Sequence, residues 1–351
     1  MPFFSSKNSS KADANRRIGL NIGRANIVAC ELSGRKDKFT IEHCAIQPIR
    51  SDKPLGRQLK EFFQEHKFQS KKANVSLKGH GVVVRFLSFP RMNRTDFASA
   101  IQFEAEKYLP FNLSEVVLDF HIVDDSVSGK TSEDNMMQMI LVAARKTEID
   151  RLVAAAKEAE IQLDAIDIDI FAVTNLFTFV YPDAKAHTYA IVDFGTVDAS
   201  LGILNKGALI FSRDIAFGGN DLTEFIKRKL NISEEEAMKL LSGSHDNQVD
   251  QNAMAIQEGL SRLIQELRSS INYYYNQHQN APAIETVYIS GGLSQLPVLK
   301  AMLEKQMEIP VKTWDPIAAF QLSRGTKPET LKNLTAYLPV SLGLGIRPVE
   351  K

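Results

Sequence analysis

The chain has 351 residues, enough for two average domains; 44% are hydrophobic and 24% charged, so it can bury a core and is not globally disordered. Lysine plus arginine and aspartate plus glutamate each number 42, and a formal net charge of zero gives no electrostatic reason to expect a nucleic-acid partner. The two cysteines, Cys30 and Cys44, sit in apolar strand-like stretches and read as small buried hydrophobes in a reducing compartment, not as a disulfide or metal pair.

In chain order, residues 1–16 lack the apolar segment of a signal peptide and read as a disordered leader, although Phe3 and Phe4 stand among basic residues. Ile18–Ile22, Ile27–Leu32 and Phe39–Ile46 read as strands. Leu55–His66 reads as a helix with Leu55, Leu59, Phe62 and Phe63 on one face, followed by strands Ala73–Leu77 and Val82–Phe89. Thr95 is a plausible N-cap for a helix Asp96–Leu109, which Pro110 ends. Strands Val116–Val123 and Met136–Ala144 flank a polar loop, Asp124–Asn135. A helix Glu148–Glu160 follows, starting from a Thr147-x-x-Asp150 variant of the capping box. The strand, helix, strand, strand, helix order within the first half suggests a small inserted α+β subdomain. The most apolar run near the middle, Ile170–Tyr181, is too short to span a membrane and carries Thr174, Asn175 and Thr178.

The second half opens on Tyr189–Leu204, Y-A-I-V-D-F-G-T-V-D-A-S-L-G-I-L, two apolar strands around a tip bearing Asp193, Gly195 and Thr196. Strand Ala208–Ile215 runs into Gly218-Gly219 and a helix Asp221–Leu230. Ser233-x-x-Glu236 is a capping box for Glu234–Leu241, and Ser242–Asn252 is a polar loop. A long helix carries Ile256, Leu260, Leu263, Ile264, Leu267, Ile271 and Tyr274 on one face, with Tyr273-Tyr274-Tyr275 read as packing residues rather than a base-stacking platform. The strand of Val287–Leu293 runs into Gly291-Gly292. Helix Gln295–Glu308, strand Val311–Trp314 and a last helix near Leu334–Gly343 close the chain.

The tip of Tyr189–Leu204 suits a metal-bound polyphosphate. Gly195 admits backbone N–H groups to phosphate oxygens, Thr196 offers a hydroxyl, and Asp193 can hold a magnesium ion through water. The same three residue types also make ordinary turns. A second copy weighs against chance: Arg17–Leu32, R-I-G-L-N-I-G-R-A-N-I-V-A-C-E-L, repeats strand, Asn21-Ile22-Gly23, strand. Gly218-Gly219 before a helix offers an anion or ribose seat, and Gly291-Gly292 offers close backbone to a nucleoside. Other constellations fail. Gly129-Lys130-Thr131 has no glycine five residues before it, the seven histidines form no pair at metal-ligand spacing, and no serine lies in a G-x-S-x-G context.

In this order and spacing the three pieces resemble the first phosphate, second phosphate and adenosine motifs of the actin-like (ASKHA) ATPase superfamily. The resemblance implies an α/β fold of two similar domains around a nucleotide cleft. Phe97–Val123, with Glu104-Ala105-Glu106, Tyr108-Leu109-Pro110-Phe111 and Glu115-Val116-Val117-Leu118-Asp119, resembles the inserted subdomain of the PilM family, cytoplasmic FtsA-like proteins of type IV pilus assembly. The domain division expected is 17–187 with an insert at about 86–160, then 188–334, then a helix in 335–351 that packs back on the first domain. The resemblance implies a scaffold at the cytoplasmic face of the inner membrane that binds the cytoplasmic tail of a PilN-like single-span membrane protein, with self-association left open. It implies ATP and Mg2+ as ligands, held by Asn21, Gly23, Arg24, Asp193, Gly195, Thr196, Gly218, Gly219, Gly291 and Gly292, with Asp193 facing the metal. Phe89, Phe97, Ile101 and Phe111 are the residues expected near the partner peptide. The family's first loop usually reads D-I-G-S-S-S-V-K, whereas here it is Asn21-Ile22-Gly23-Arg24-Ala25-Asn26-Ile27-Val28. An amide for the acid removes a negative charge that binds metal through water, an effect of roughly 10–100-fold in metal affinity. Arg24 can instead meet a phosphate directly. Weakened nucleotide binding with slow or no hydrolysis is therefore expected, the alternative being an active Mg-ATPase or small-molecule kinase on the same fold.

Overall fold

A computed structural model describes residues 16–35, 38–123, 136–241, 249–277, 281–324, 326, 328–332 and 334–347. The expectations for the leader, for the loop Asp124–Asn135 and for most of the loop Ser242–Asn252 lie outside the described residues.

Two sheets repeat one topology. In the first, β1 (Arg16–Ile22), β2 (Asn26–Arg35) and β3 (Lys38–Pro48) form an antiparallel meander. Beside β1, β4 (Lys72–Leu77) and then β8 (Gln162–Ile168) add in parallel. In the second, β9 (Thr188–Phe194), β10 (Ala199–Asn205) and β11 (Ala208–Ile215) form the meander, with β12 (Thr286–Gly291) and β13 (Val311–Thr313) parallel beside β9. The parallel additions need crossovers, which helices supply. The short β14 (Gln321–Leu322) extends the first sheet at β3, a strand that the sequence pattern did not suggest.

Five of the six meander strands feed two cores, as the period of two directs, while β1 gives Ile18 and Leu20 to one only. In β9, Ala190, Val192 and Phe194 face the outer helices while Tyr189 and Ile191 face the layer between the sheets. In β2, Ile27 and Ala29 face one way and Val28, Cys30 and Leu32 the other. The outer layer of the first sheet is α1 (Leu55–Glu65) with α3 (Lys146–Glu158). That of the second holds α5 (Gly219–Leu230), α6 (Glu234–Leu241), α7 (Val249–Gln277) and α8 (Pro297–Met307). In α7, Tyr274 is fully buried while its neighbour Tyr273 is 48% exposed, as one-sided packing of the run requires.

Two helices lie between the sheets: α4 (Asp169–Val180) and, after the short α9 (Pro328–Lys332), α10 (Pro339–Ile346). The apolar run Ile170–Tyr181 is thus a buried central helix. The chain's last helix starts later than its pattern suggests, because Thr335–Tyr337 forms a 3-10 turn and Pro339 fits the first helical turn. α10 packs on β1, β2 and β4 of the first sheet and on α4. Asn74 Nδ2 donates to the Leu344 carbonyl at 2.8 Å, and Arg347 pairs with Asp167 at 2.8 Å. Cys30 and Cys44 are directly opposed across β2 and β3, both buried and reduced, with the Cys44 thiol donating to Cys30 Sγ at 2.7 Å. Burial pushes the Cys44 thiol well above its usual range.

Between β4 and α3 stands a third, antiparallel sheet in the order β5 (Val82–Pro90), β7 (Met136–Arg145), β6 (Val116–Val123), backed by α2 (Arg94–Glu104). Its core holds Phe89, Phe97, Ile101, Ala105, Leu109, Val116 and Leu141. α3, grouped with this insert by sequence, gives Leu152, Ala155 and Ala156 to the core of the first sheet instead. Two caps also differ from expectation. α2 starts from Asn93, whose side chain accepts from the Asp96 N–H at 2.9 Å, two residues ahead of the Thr95 start. α3 begins at Lys146 with no side-chain cap. The Ser233–Glu236 box forms in both directions, at 3.2 and 2.8 Å.

The α4–α10 crossing is close because one partner lacks a Cβ: a Cβ on Gly343 would sit 2.0 Å from the Ala172 carbonyl oxygen. Gly343→Ala must therefore push the central helices apart, at a cost of about 1–3 kcal/mol. A calorimetric or circular-dichroism melt should show the midpoint lowered by several degrees; an unchanged midpoint would mean the helices part without penalty.

Candidate functional site

The site forms where the two meanders point their first hairpins at each other. Both tips use the same turn. Gly23 N–H donates to the Asn26 carbonyl at 2.9 Å, and Gly195 N–H donates to the Asp198 carbonyl at 3.0 Å. Asn21, at the end of β1, pairs with Val28, while Asp193 holds the corresponding place in β9 opposite Ser200. Asn21, Gly23 and Arg24 thus stand on one side of the cleft, and Asp193, Gly195 and Thr196 on the other.

The glycine pairs gather around the second tip. Gly219 N–H donates to the Gly195 carbonyl at 3.1 Å, and Asn220 N–H to the Thr196 carbonyl at 2.8 Å. The Asp221 carboxylate accepts from Gly218 N–H at 2.9 Å, fixing the start of α5 over the tip. Gly291 has φ +84°, a conformation that favours glycine, and its backbone lies against Phe194 of β9. Ser290 Oγ, one residue earlier, donates to Asp193 Oδ1 at 2.7 Å. Gly292 faces Tyr337. Each expected nucleotide residue accordingly lies at the cleft or on an element that shapes it.

Three charged residues absent from the expected set complete the site. Lys78 follows β4, the first-half counterpart of β12, and reaches across to the second half. Its ammonium meets Asp198 Oδ1 at 2.6 Å and the Asp198 carbonyl at 3.4 Å, with the two side chains 18% and 22% exposed. Lys78 Nζ is also 3.3 Å from the place a Cβ on Gly195 would take. Arg24 lies alongside, its Nη2 3.7 Å from the corresponding point on Gly79. Asp169, the first residue of α4, is buried at the same end of the cleft, and its side chain shares a cavity of about 250 Å³ with Lys78, Ser200, Arg213 and Asp214. Burial pushes the Asp169 carboxyl up to about 6, against the opposing pull of Lys78. Burial also raises Asp193, again opposed by Lys78. Lys78 is raised by the three aspartates despite the opposing effect of its burial. The sequence signals were present: a buried strand, A-N-V-S-L, runs straight into Lys78-Gly79, and a single acid, Asp169, opens the most apolar helix.

A divalent ion fits this donor set poorly. Among the described residues no three His, Cys, Asp or Glu side chains are arranged to hold a metal. One oxygen of Asp193 is engaged by Ser290, Asn21 replaces the first-loop acid, and the Lys78 ammonium is already in contact with Asp198.

The residues expected near a partner peptide fare differently. Phe97 and Ile101 are 0% and 1% exposed, and Phe89 is buried, with Phe97 in edge contact with both Phe89 and Phe120. They are the insert's own core and present no surface. Phe111 alone is half-buried, with the Arg145 guanidinium 4.5 Å over its ring.

A model of the family described as type IV pilus assembly protein PilM matches residues 19–349. Among solved structures, a PilM–PilN type IV pilus biogenesis complex superposes with TM-score 0.82 at 24% identity, covering 95% of this chain and 99% of that one. The ethanolamine utilization protein EutJ from Carboxydothermus hydrogenoformans superposes with TM-score 0.51 at 12% identity, covering 95% of this chain and 89% of that one. The fold is actin-like, as the paired motifs implied.

The raised Asp169 carboxyl has a stability consequence. A rise from 3.8 to about 6 favours the protonated form by on the order of 3 kcal/mol. The folded chain binds the extra proton, so this contribution is present below the unfolded pKa and is lost as pH rises through about 4 to 6. Asp169→Asn should therefore raise the melting midpoint above about pH 6 and leave it nearly unchanged near pH 4. A gain of equal size at both pH values would show that the carboxyl titrates normally.

Proposed function

Because the chain belongs to the PilM family of type IV pilus assembly proteins, we propose that it is an assembly scaffold at the cytoplasmic face of the inner membrane, taking the N-terminal cytoplasmic tail of a PilN-like membrane protein. Among the described residues no helix is long and apolar enough to cross a membrane, so a bound membrane partner would tether it. One observation carries the seat of that tail. Among the described residues β6 is an edge of the inserted sheet with no strand beyond it, whereas the opposite edge, β5, packs toward β11. Along β6 the side chains alternate in exposure, and Val117 is 47% exposed. An extended peptide can continue such a sheet, its backbone meeting edge N–H and C=O groups, with the Asp119 carboxylate that accepts from the Phe120 N–H at 2.8 Å giving way, and alternate side chains meeting the surface. Phe111 and Arg145 stand at the start of β6, next to the first domain, where Lys146 Nζ donates to the Ser114 carbonyl at 2.7 Å. The buried Phe89, Phe97 and Ile101 support this surface from beneath.

In the same reading the cleft binds a nucleoside polyphosphate weakly and turns it over slowly or not at all, since the first loop offers an amide where an acid would act. The observation favouring turnover is the Asp169 carboxyl, which burial brings into the range of a general base. Its α4 anchorage and the nearby Lys78 equally suit a structural ion cluster.

The tail reading is tested by capture of an immobilised PilN-like N-terminal peptide. Val117→Glu, at an exposed edge position, should weaken capture by about tenfold or more with an unchanged melt. Phe111→Ala should weaken it also. Full capture by both variants would place the tail elsewhere. For the cleft, Asp193→Ala should remove any thermal stabilisation by ATP. Equal stabilisation of the variant and the wild type would exclude the cleft as the seat of ATP.

A further inference from the structure

We propose that Lys78 is a built-in cation of the cleft, standing where a divalent ion would have to act, so that the site takes nucleoside polyphosphates without a metal. This deepens the nucleotide reading above and rests on it.

The argument starts from the duplication. Parallel to β1 and β9, the strands β4 and β12 deliver equivalent turns into the cleft. In the second half that turn is Ser290-Gly291, and Ser290 serves Asp193. In the first half it continues into Lys78-Gly79, and the first loop beside it carries Asn21, with no acid to serve. The change from acid to amide on one strand and the lysine after the next alter the local charge in the same direction. Both make the first half of the cleft more positive.

Lys78 is placed to use that charge. It lies 2.6 Å from Asp198 and 3.3 Å from the Cβ position of Gly195, at the tip that would meet phosphate oxygens. Arg24 stands next to it, beside Gly79. An ammonium in contact with Asp198 repels a magnesium ion at the same carboxylates. It also supplies a compact charge of the kind that binds phosphate as a point cation. Lysine and metal are therefore alternatives at this place. A polyphosphate entering the cleft would draw the ammonium from Asp198 toward its own oxygens, and the two tip turns, closed by Gly195 N–H on the Asp198 carbonyl and Gly23 N–H on the Asn26 carbonyl, would stay as they are.

The experiment uses the full chain, with ATP titrated by calorimetry in EDTA and in Mg2+, and with Mn2+ alone titrated by electron paramagnetic resonance. In the wild type, ATP affinity should agree within about threefold between EDTA and Mg2+, and Mn2+ alone should not bind. Lys78→Met should weaken ATP binding in EDTA by about tenfold or more, make binding metal-dependent, and create a Mn2+ site at the released aspartates. Lys78→Arg should keep the metal-free binding. A wild type whose ATP affinity falls more than tenfold in EDTA overturns the inference while leaving the nucleotide reading intact. A wild type that binds ATP in neither condition overturns the nucleotide reading, and with it metal-free binding. Wild-type binding of Mn2+ equal to that of Lys78→Met overturns the role of Lys78 as the resident cation.

Discussion

Two helices with little bulk at their crossing set the distance between the sheets. α4 and α10 fill the central layer, and their contact is as close as backbone allows because Gly343 meets the Ala172 carbonyl directly. On the other side of α10, Ser341 lies against Gly19 of β1, and the Leu344 carbonyl is held by Asn74 of β4. β1 and β4 are the strands whose ends form the first wall of the cleft. The helix that binds the sheets together thus fixes where that wall stands, and packed interiors deform little. The reach of Lys78 to Asp198 depends on that separation, since a lysine side chain spans only a few ångströms beyond its backbone.

Much of this architecture was legible in the sequence because it repeats. Tyr189–Leu204 and Arg17–Leu32 match as strand, polar–apolar–Gly, strand, and the structure gives both the same turn, from Gly23 to Asn26 and from Gly195 to Asp198. The strands carry their apolar runs because both faces are buried, which is a strong local signal. What stayed hidden was the charge cluster. Lys78, Asp169 and Asp198 come from a strand end, a helix start and a hairpin turn, and no local period links them. A lysine after a buried strand looks like any solvated terminus until the second sheet is placed opposite. The caps failed for a related reason: Asn93 and Thr95 are both competent caps, and sequence alone does not decide between starts two residues apart.

The insert shows the limit of apolar periodicity from the other side. Phe97, Ile101 and Ala105 recur at helical spacing, which marks a face that is buried without saying against what. A peptide groove and a private core look identical in such a pattern. Exposure separates them. The four aromatic and aliphatic positions read as groove residues divide into three that are buried and one, Phe111, that is reachable beneath Arg145. The exposed positions of β6, Val117, Asp119 and His121, are about one residue in two, the alternation expected of an edge strand with one face on a core, and of these Val117 is apolar. Such a surface carries a weak sequence signal, because half of its residues obey the rule for burial and half the rule for solvent.

The cleft itself is where the duplicated halves stop being alike, and the asymmetry has a physical direction. The second half keeps its acid, and Ser290 holds Asp193 in place. The first half carries an amide at the matching position and sends a lysine from the neighbouring strand across the gap. Three buried or half-buried carboxylates without that ammonium would repel one another and raise the cost of closing the halves. With it, the negative second half and the positive first half attract. The ion pair therefore serves two ends with one group: it offsets the burial of acid in the cleft, and it bridges the two halves at the cleft itself. A substitution at Lys78 acts on both, which is why the charge-keeping arginine variant separates the effect of charge from that of packing.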